Sequence, residues 1–143
     1  MPKQVVSDFL YEKLTYGIRG AIYNVYNTLG FGHKESVYHK SLSKEFIKQG
    51  IPFTEEKLLP VEYDGEKVGV YKPDFLVGDA VIVEIKALPY IVKDMESQLI
   101  NYLKGTGYKL GLLVNFGSSS LDIRRKVWSN NQRKSAEKIS ENR

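Results

Sequence analysis

The sequence of 143 residues predicts a single α/β domain, and three observations support this prediction. Two amphipathic helical stretches come first, β-prone segments containing a turn signal follow, and a third helical stretch precedes another apolar strand. The length suffices for one hydrophobic core rather than two. The predicted order is helix, helix, three strands, helix and one strand, with a final edge strand as an option.

The helical stretches are predicted from apolar residues that recur every three or four positions. The first stretch ends at Gly30, where glycine accepts the positive φ of a helix C-terminus. The second should cover residues 34–49 and the third residues 92–104. The apolar face of the first stretch comprises Leu10, Leu14, Ile18, Ala21, Ile22, Val25 and Leu29.

The strands are predicted from short β-branched and aromatic runs. Asp64 and Gly65 form a strong hairpin turn signal, and Pro60 indicates a break or an edge position. The predicted strands cover residues 53–63, 67–77, 80–87 and 108–116, with 123–128 as the optional edge strand.

Composition excludes several classes of protein. The chain contains no cysteine, so it cannot have a disulfide framework, a thiolate metal site or a cysteine nucleophile. No apolar run approaches the roughly 18 residues that span a bilayer, and the first residues do not resemble a signal peptide. We therefore expect a cytoplasmic domain with no membrane partner.

The positive charge is concentrated at the C-terminal end. Residues 124–143 contain seven lysines and arginines but only two glutamates. Such a segment suits a polyanionic partner, because lysine and arginine displace counterions from phosphates. A solvated terminus without a partner explains the charge equally well. We assign residues 1–128 to the domain and 129–143 to a basic tail, for which disorder is the structural expectation.

Three charged residues stand inside strands that otherwise look buried: Asp74, Glu84 and Lys86. Ionised groups are rare in such surroundings unless they are paired or bind a metal ion, because uncompensated burial costs several kcal/mol. One interpretation is a catalytic metal site. The other is a buried salt-bridge triad that only fixes the strand register.

The register of the hairpin around Gly78 decides whether these groups meet. A two-residue loop would place Asp74 opposite Val83 and turn Glu84 to the other face. A three-residue loop pairs Val77 with Val81 and places Asp74 opposite Glu84. We favour the three-residue loop because register follows the apolar pattern. It gathers Phe75, Val77, Val81, Val83 and Ile85 on one apolar face.

Two carboxylates beside an ammonium group suit the hydrolysis of a phosphodiester. Carboxylate oxygens are the ligands that Mg²⁺ or Mn²⁺ prefers. Such an ion polarises a phosphoryl oxygen and activates a bound water. Lys86 would orient or deprotonate that water and offset negative charge on the phosphorus.

Three motifs carry a resemblance to a known family. Pro73-Asp74, followed nine residues later by Glu84-Ile85-Lys86, matches the PD-(D/E)XK pattern. Residues 32–38 read G-x-x-E-x-x-Y, and residues 98–102 match the Q-x-x-x-Y motif of RecB-type nucleases. From about Tyr16 to Trp128 the chain resembles the GxxExxY family of the PD-(D/E)XK nuclease superfamily.

This resemblance implies a restriction-endonuclease-like core, in which helices flank a mixed central β-sheet. It implies a metal-dependent nuclease acting on nucleic acid, with DNA favoured. Asp74 and Glu84 would bind the metal, together with Glu35, directly or through a water, and the backbone carbonyl of Ile85. Lys86 would be the catalytic lysine, with Glu35 as an additional acidic residue. Substrate contacts would come from Gln98, Tyr102, Tyr38 and His33.

Other interpretations stay open. In one alternative, Tyr102 is a packing residue and only Gln98 is exposed. In another, Glu35 is only a favourable residue at a helix start. His39 is expected at the surface or in a capping role. Tyr71 and Tyr90 are the tyrosines nearest the site and candidates for base stacking. The whole domain could also be a non-catalytic nucleic-acid-binding or protein-interaction module. A homodimer would suit the cutting of two strands, although no sequence feature requires one.

Overall fold

The computed structural model describes residues 7–129, so nearly all of the predicted basic tail lies outside the described residues. The elements, in chain order, are α1 (Asp8–Leu29), α2 (Glu35–Lys48), β1 (Phe53–Glu55), β2 (Leu59–Tyr63), β3 (Glu66–Tyr71), β4 (Phe75–Val77), β5 (Val81–Lys86), α3 (Lys93–Thr106), β6 (Leu110–Asn115) and β7 (Asp122–Val127).

A mixed five-stranded sheet forms the centre of the fold, in the order β1-β4-β5-β6-β7. Only β5 and β6 run parallel, and the other neighbouring strands are antiparallel. One face of the sheet packs against α1 and α2, and the other packs against α3 together with the separate β2–β3 hairpin. The predicted α/β fold with helices around a mixed sheet is therefore confirmed.

Helix α1 begins and ends at residues that favour helix termini. The Ser7 side chain accepts a hydrogen bond from the Leu10 backbone N–H at 3.2 Å, which caps the start of α1. Gly30 follows the last residue of α1 with φ 68°. Of the seven residues on the predicted apolar face, Ile18, Ala21, Ile22 and Val25 are buried and Leu14 and Leu29 are half-buried. Leu10, in the first turn, is 49% exposed. Within residues 7–129, no helix combines the length and apolar character needed to cross a membrane.

The strand prediction was wrong in one respect, because five strands lie between α2 and α3 instead of three. The first predicted strand is interrupted at Glu56, whose φ of 51° lies in the left-handed region. The second is interrupted before Asp74, where Pro73 has no backbone N–H to contribute to a ladder. The chain between these two breaks forms the β2–β3 hairpin, which turns at Asp64 and Gly65 as predicted.

The register of the β4–β5 hairpin agrees with the three-residue loop. Phe75 pairs with Val83 and Val77 pairs with Val81. Gly78 opens the loop with φ 60°, a conformation that glycine adopts without strain. The five apolar residues that this register was expected to gather all lie in the core cluster beneath α1 and α2. Ile82 packs into the opposite cluster, so the strand alternates between the two cores.

Candidate active site at the end of a β-hairpin

Asp74 lies one residue before β4, at the point where the ladder with β5 ends. Its Oδ2 accepts a hydrogen bond from the Ile85 backbone N–H at 2.7 Å. The side chain thus continues the hydrogen bonding between the two strands beyond their last paired residues, Phe75 and Val83. The backbone N–H of Ile85 therefore holds the Asp74 carboxyl group at the end of β4, next to β5.

Glu84 is in direct contact with Asp74. Its Oε1 accepts a hydrogen bond from the Asp74 backbone N–H at 3.2 Å and another from the Tyr71 hydroxyl. The Glu84 side chain therefore contacts the backbone of Asp74, and the Asp74 side chain contacts the backbone of Ile85, the residue after Glu84. The structure places the two carboxylates together, as the three-residue loop requires.

The surroundings of Glu84 disfavour its ionised form. Burial, followed by the negative charge of Asp74, raises the pKa of Glu84 from 4.5 to about 7. Hydrogen bonds from Tyr71 and Asp74, and the charge of Lys86, oppose this rise without cancelling it. A cation bound between the two carboxylates would relieve the repulsion between them.

Lys86 and Glu35 extend the cluster. Lys86 lies two residues after Glu84 on the same strand, half-buried, and its charge lowers the pKa of both Glu84 and Glu35. Glu35 begins α2 and is exposed. Partial desolvation and then the charge of Asp74 raise the pKa of Glu35. The structure therefore brings Glu35 within electrostatic reach of both Asp74 and Lys86.

Two residues near Asp74 were missed by the sequence interpretation. His39 was expected at the surface or in a cap, but only 20% of its side chain is exposed and its ring stacks on Phe75 at 4.4 Å. Its Nε2 lies 3.2 Å from Glu55 Oε1, and its Nδ1 lies 3.9 Å from Asp74 Oδ1. The spacing of four residues from Glu35 was the available signal, since such residues share a helix face. Glu55 carried no signal, because its position depends on the pairing of β1 with β4.

A groove of about 500 Å³ leads from Asp74 to the surface. Four acidic side chains and one lysine line it, so it would repel a phosphate in the absence of a bound cation. Its lining comprises Glu35, Ser36, His39, Lys40, Glu55, Glu56 and Asp74.

Tyr38 and His33 do not lie in this groove. Tyr38 is fully buried, stacks on Phe116 at 4.6 Å and donates a hydrogen bond to the Gly30 carbonyl at 2.6 Å. The prediction of a substrate contact for Tyr38 is corrected on this ground, since a side chain without exposed surface cannot reach a ligand. His33 is exposed, and its Nε2 lies 3.2 Å from the Leu29 carbonyl, at the end of α1.

The Q-x-x-x-Y motif lies on α3 and its two named residues differ in environment. Gln98 is exposed, whereas Tyr102 is half-buried and stacks on Tyr71 with ring centroids 3.7 Å apart. This placement agrees with the packing alternative for Tyr102. Tyr71 is itself only 5% exposed, so the suggestion that it stacks on bases is also corrected. Tyr90 is 70% exposed.

The loop after Lys86 is fixed by Asn115, which is fully buried at the end of β6. The Asn115 side-chain amide accepts a hydrogen bond from the Leu88 N–H and donates one to the Leu88 carbonyl, both at 2.9 Å. Gly117 is required beside this loop, because a Cβ there would lie 2.2 Å from the Leu88 nitrogen. The sequence did not predict these hydrogen bonds, since Leu88 and Asn115 are distant along the chain.

The donor set fits a divalent cation that keeps much of its water. Residues 7–129 contain no group of three or more histidine, aspartate or glutamate side chains arranged around a metal position. Mg²⁺, however, is usually held by one or two carboxylates and several waters. The Ile85 carbonyl adds a further oxygen, because it leaves the strand on the same side as the N–H that bonds Asp74.

Comparison with known proteins gives one family and one solved structure. A model described as the PD-(D/E)XK nuclease superfamily matches residues 12–126. The solved structure is an alkaline exonuclease (LHK-Exo) from Laribacter hongkongensis, which is 18% identical, with a TM-score of 0.47. The match covers 67% of this chain and 57% of that exonuclease chain, so the protein spans little more than half of its length. A comparison of the sequence with curated proteins found no match.

Proposed function

Because the chain belongs to the PD-(D/E)XK nuclease superfamily, we propose that it is a divalent-metal-dependent nuclease that hydrolyses phosphodiester bonds, with DNA as its substrate. The contact between Asp74 and Glu84 carries this proposal. Two acidic residues in a half-buried position, with a lysine beside them, are costly unless they bind a cation. The narrower assignment to the GxxExxY family rests on residues 32–38 and 98–102 and is part of the same proposal.

The carboxylates of Asp74 and Glu84, with the Ile85 carbonyl, would hold Mg²⁺ or Mn²⁺. Glu35 would bind a water of that ion from the rim of the groove. When bound, the ion lowers the pKa of a coordinated water and polarises the phosphoryl oxygen.

Lys86 supplies the remaining chemistry. Its ammonium lies on the same strand face as Glu84, where it can donate to the attacking water and orient it. The same charge stabilises the negative oxygens that develop on the phosphorus in the transition state. The half-buried position of Lys86 strengthens this stabilisation, because the effective dielectric constant there is lower than in water.

The groove beside α2 is the proposed path of the substrate strand. It ends at Asp74, and Lys40 and Ser36 on its wall can donate hydrogen bonds to phosphates. Gln98, exposed on α3, is the proposed polar contact on the other side of the sheet. His33 stays a candidate contact near Glu35.

A cleavage assay tests the proposal. Wild type and three near-isosteric variants, Asp74→Asn, Glu84→Gln and Lys86→Met, are incubated with supercoiled, linear and single-stranded DNA and with RNA, in Mg²⁺, Mn²⁺ or EDTA. We expect cleavage of DNA by the wild type only with metal, and a loss of at least about 100-fold in each variant. Glu35→Gln should cost less, because Glu35 acts through a water.

Glu62→Gln and Lys67→Met, which change an exposed cross-strand pair on the β2–β3 hairpin, are the matched controls and should cleave as wild type does. Cleavage that survives all three site substitutions would contradict the assignment of the site. DNA binding without cleavage in any metal would instead favour the non-catalytic binding module.

A further inference from the structure

Tyr71 holds one oxygen of Glu84. It is the last residue of β3, and its hydroxyl donates to Glu84 Oε1, the same oxygen that accepts from the Asp74 N–H. Two donors therefore fix Oε1. The other oxygen, Oε2, accepts no hydrogen bond from residues 7–129, and no buried polar side-chain atom among them lacks a partner. Oε2 is consequently the oxygen that is open to solvent and to a cation.

Tyr102 supports the ring of Tyr71. The two rings stack at 3.7 Å with an angle of 12° between their planes. Tyr71 is buried within the cluster beneath α3, and Tyr102 packs against that cluster from the helix. Stacking of this kind contributes about 0.5–1.5 kcal/mol beyond burial. The hydroxyl of Tyr102 takes no part in this contact, because it is the ring face that packs.

The hydroxyl of Tyr71 is the donor in this pair and the carboxylate of Glu84 is the acceptor. A path of contacts therefore runs from α3 through Tyr102 and Tyr71 to the carboxylate of Glu84.

We propose that Tyr71 and Tyr102 are positioning residues, which clamp Oε1 of Glu84 so that Oε2 is presented to the bound cation. The inference rests on the proposed function, since it concerns the same metal site. In this proposal Tyr102 supports the ring of Tyr71, and through it Glu84, instead of contacting the substrate. Gln98 is then the polar residue of the Q-x-x-x-Y motif that faces solvent.

The test measures binding of Mn²⁺ to the substrate-free protein by isothermal titration calorimetry, alongside DNA cleavage as a function of Mn²⁺ and DNA concentration. Tyr71→Phe removes only the hydroxyl and should raise the Kd for Mn²⁺ about tenfold, as loss of a hydrogen-bond partner of a metal ligand commonly does. Tyr102→Leu removes the stack and should shift the Kd in the same direction. Tyr102→Phe keeps the ring and should leave both the Kd and the KM for DNA at wild-type values.

Three outcomes overturn the inference. The first is that Tyr71→Phe binds Mn²⁺ as tightly as the wild type does. A lower melting temperature in that variant would not rescue the inference, because a purely structural role of Tyr71 would lower stability without changing Mn²⁺ affinity. The second is that Tyr102→Phe has a raised KM for DNA and an unchanged Mn²⁺ affinity, which would indicate that Tyr102 contacts the substrate. In both cases a wild type that binds Mn²⁺ and cleaves DNA leaves the proposed function intact. The third, a wild type that neither binds Mn²⁺ nor cleaves, overturns both proposals.

Discussion

Replacement of Glu84 by glutamine should change how the stability of the metal-free protein depends on pH. The folded state raises the pKa of Glu84 from 4.5 to about 7, so it binds the proton more tightly than the unfolded chain does. Stability from this group is fully present below pH 4.5 and is lost as the pH rises through about 7. At about 1.4 kcal/mol per pKa unit, the loss amounts to about 3 kcal/mol.

Urea unfolding in EDTA between pH 4.5 and 8.5 measures this effect. The free energy of unfolding of the wild type, relative to that of Glu84→Gln, should fall by about 3 kcal/mol across the range. Glutamine keeps the shape and the acceptor oxygen for Tyr71 but has no charge. Glu62→Gln, at an exposed position, is the matched control and should show little change relative to the wild type. Added Mn²⁺ should abolish most of the wild-type loss, because it compensates the carboxylate charge.

Parallel stability curves for the wild type and Glu84→Gln in EDTA would contradict the expected fall in stability. They would mean that the carboxylate of Glu84 is already compensated in the folded protein without a metal. The buried salt-bridge triad would then be the better interpretation of Asp74, Glu84 and Lys86.

Further predictions concern the supports of the site and the tail. Asn115→Ala leaves the Leu88 N–H and carbonyl without partners and should lower the free energy of unfolding by about 2–4 kcal/mol in urea, whereas Asn101→Ala at an exposed position should change it by less than about 0.5 kcal/mol. Tyr38→Phe removes the hydrogen bond to Gly30 and should cost about 1 kcal/mol by thermal unfolding without altering KM for DNA; a raised KM would show that Tyr38 contacts substrate. Deletion of residues 129–143 should weaken DNA binding more at low than at high salt in a fluorescence titration, and an unchanged salt dependence would contradict an electrostatic role of the tail.

The hairpin that carries the candidate site could be predicted because its apolar pattern allows one good register. The alternation from Phe75 to Ile85 is satisfied only by the three-residue loop, and that loop brings Asp74 to Glu84. Local rules also predicted the C-terminal end of α1 at Gly30 and the Asp64-Gly65 turn, since both depend on the conformational freedom of glycine within a short segment.

The environment of the site depends on contacts that no local rule reports. The positions of His39 and Glu55 follow from the packing of α2 over β1, and that of Tyr71 follows from the chain leaving the sheet at Glu56 and returning at Asp74. Tyr38 shares a helix face with Glu35, yet that face also covers the core, and periodicity alone does not separate the two environments. The periodicity likewise predicted the helix that carries Tyr102 without revealing that the ring of Tyr102 stacks on Tyr71.

Anomalous scattering from crystals soaked in Mn²⁺ would show whether Asp74 and Glu84 share one divalent cation. We expect one strong peak about 2.1 Å from a carboxylate oxygen of each residue, with the Ile85 carbonyl as a further ligand. A peak at another position, or no peak between these two side chains at saturating Mn²⁺, would show that they do not form a shared metal site.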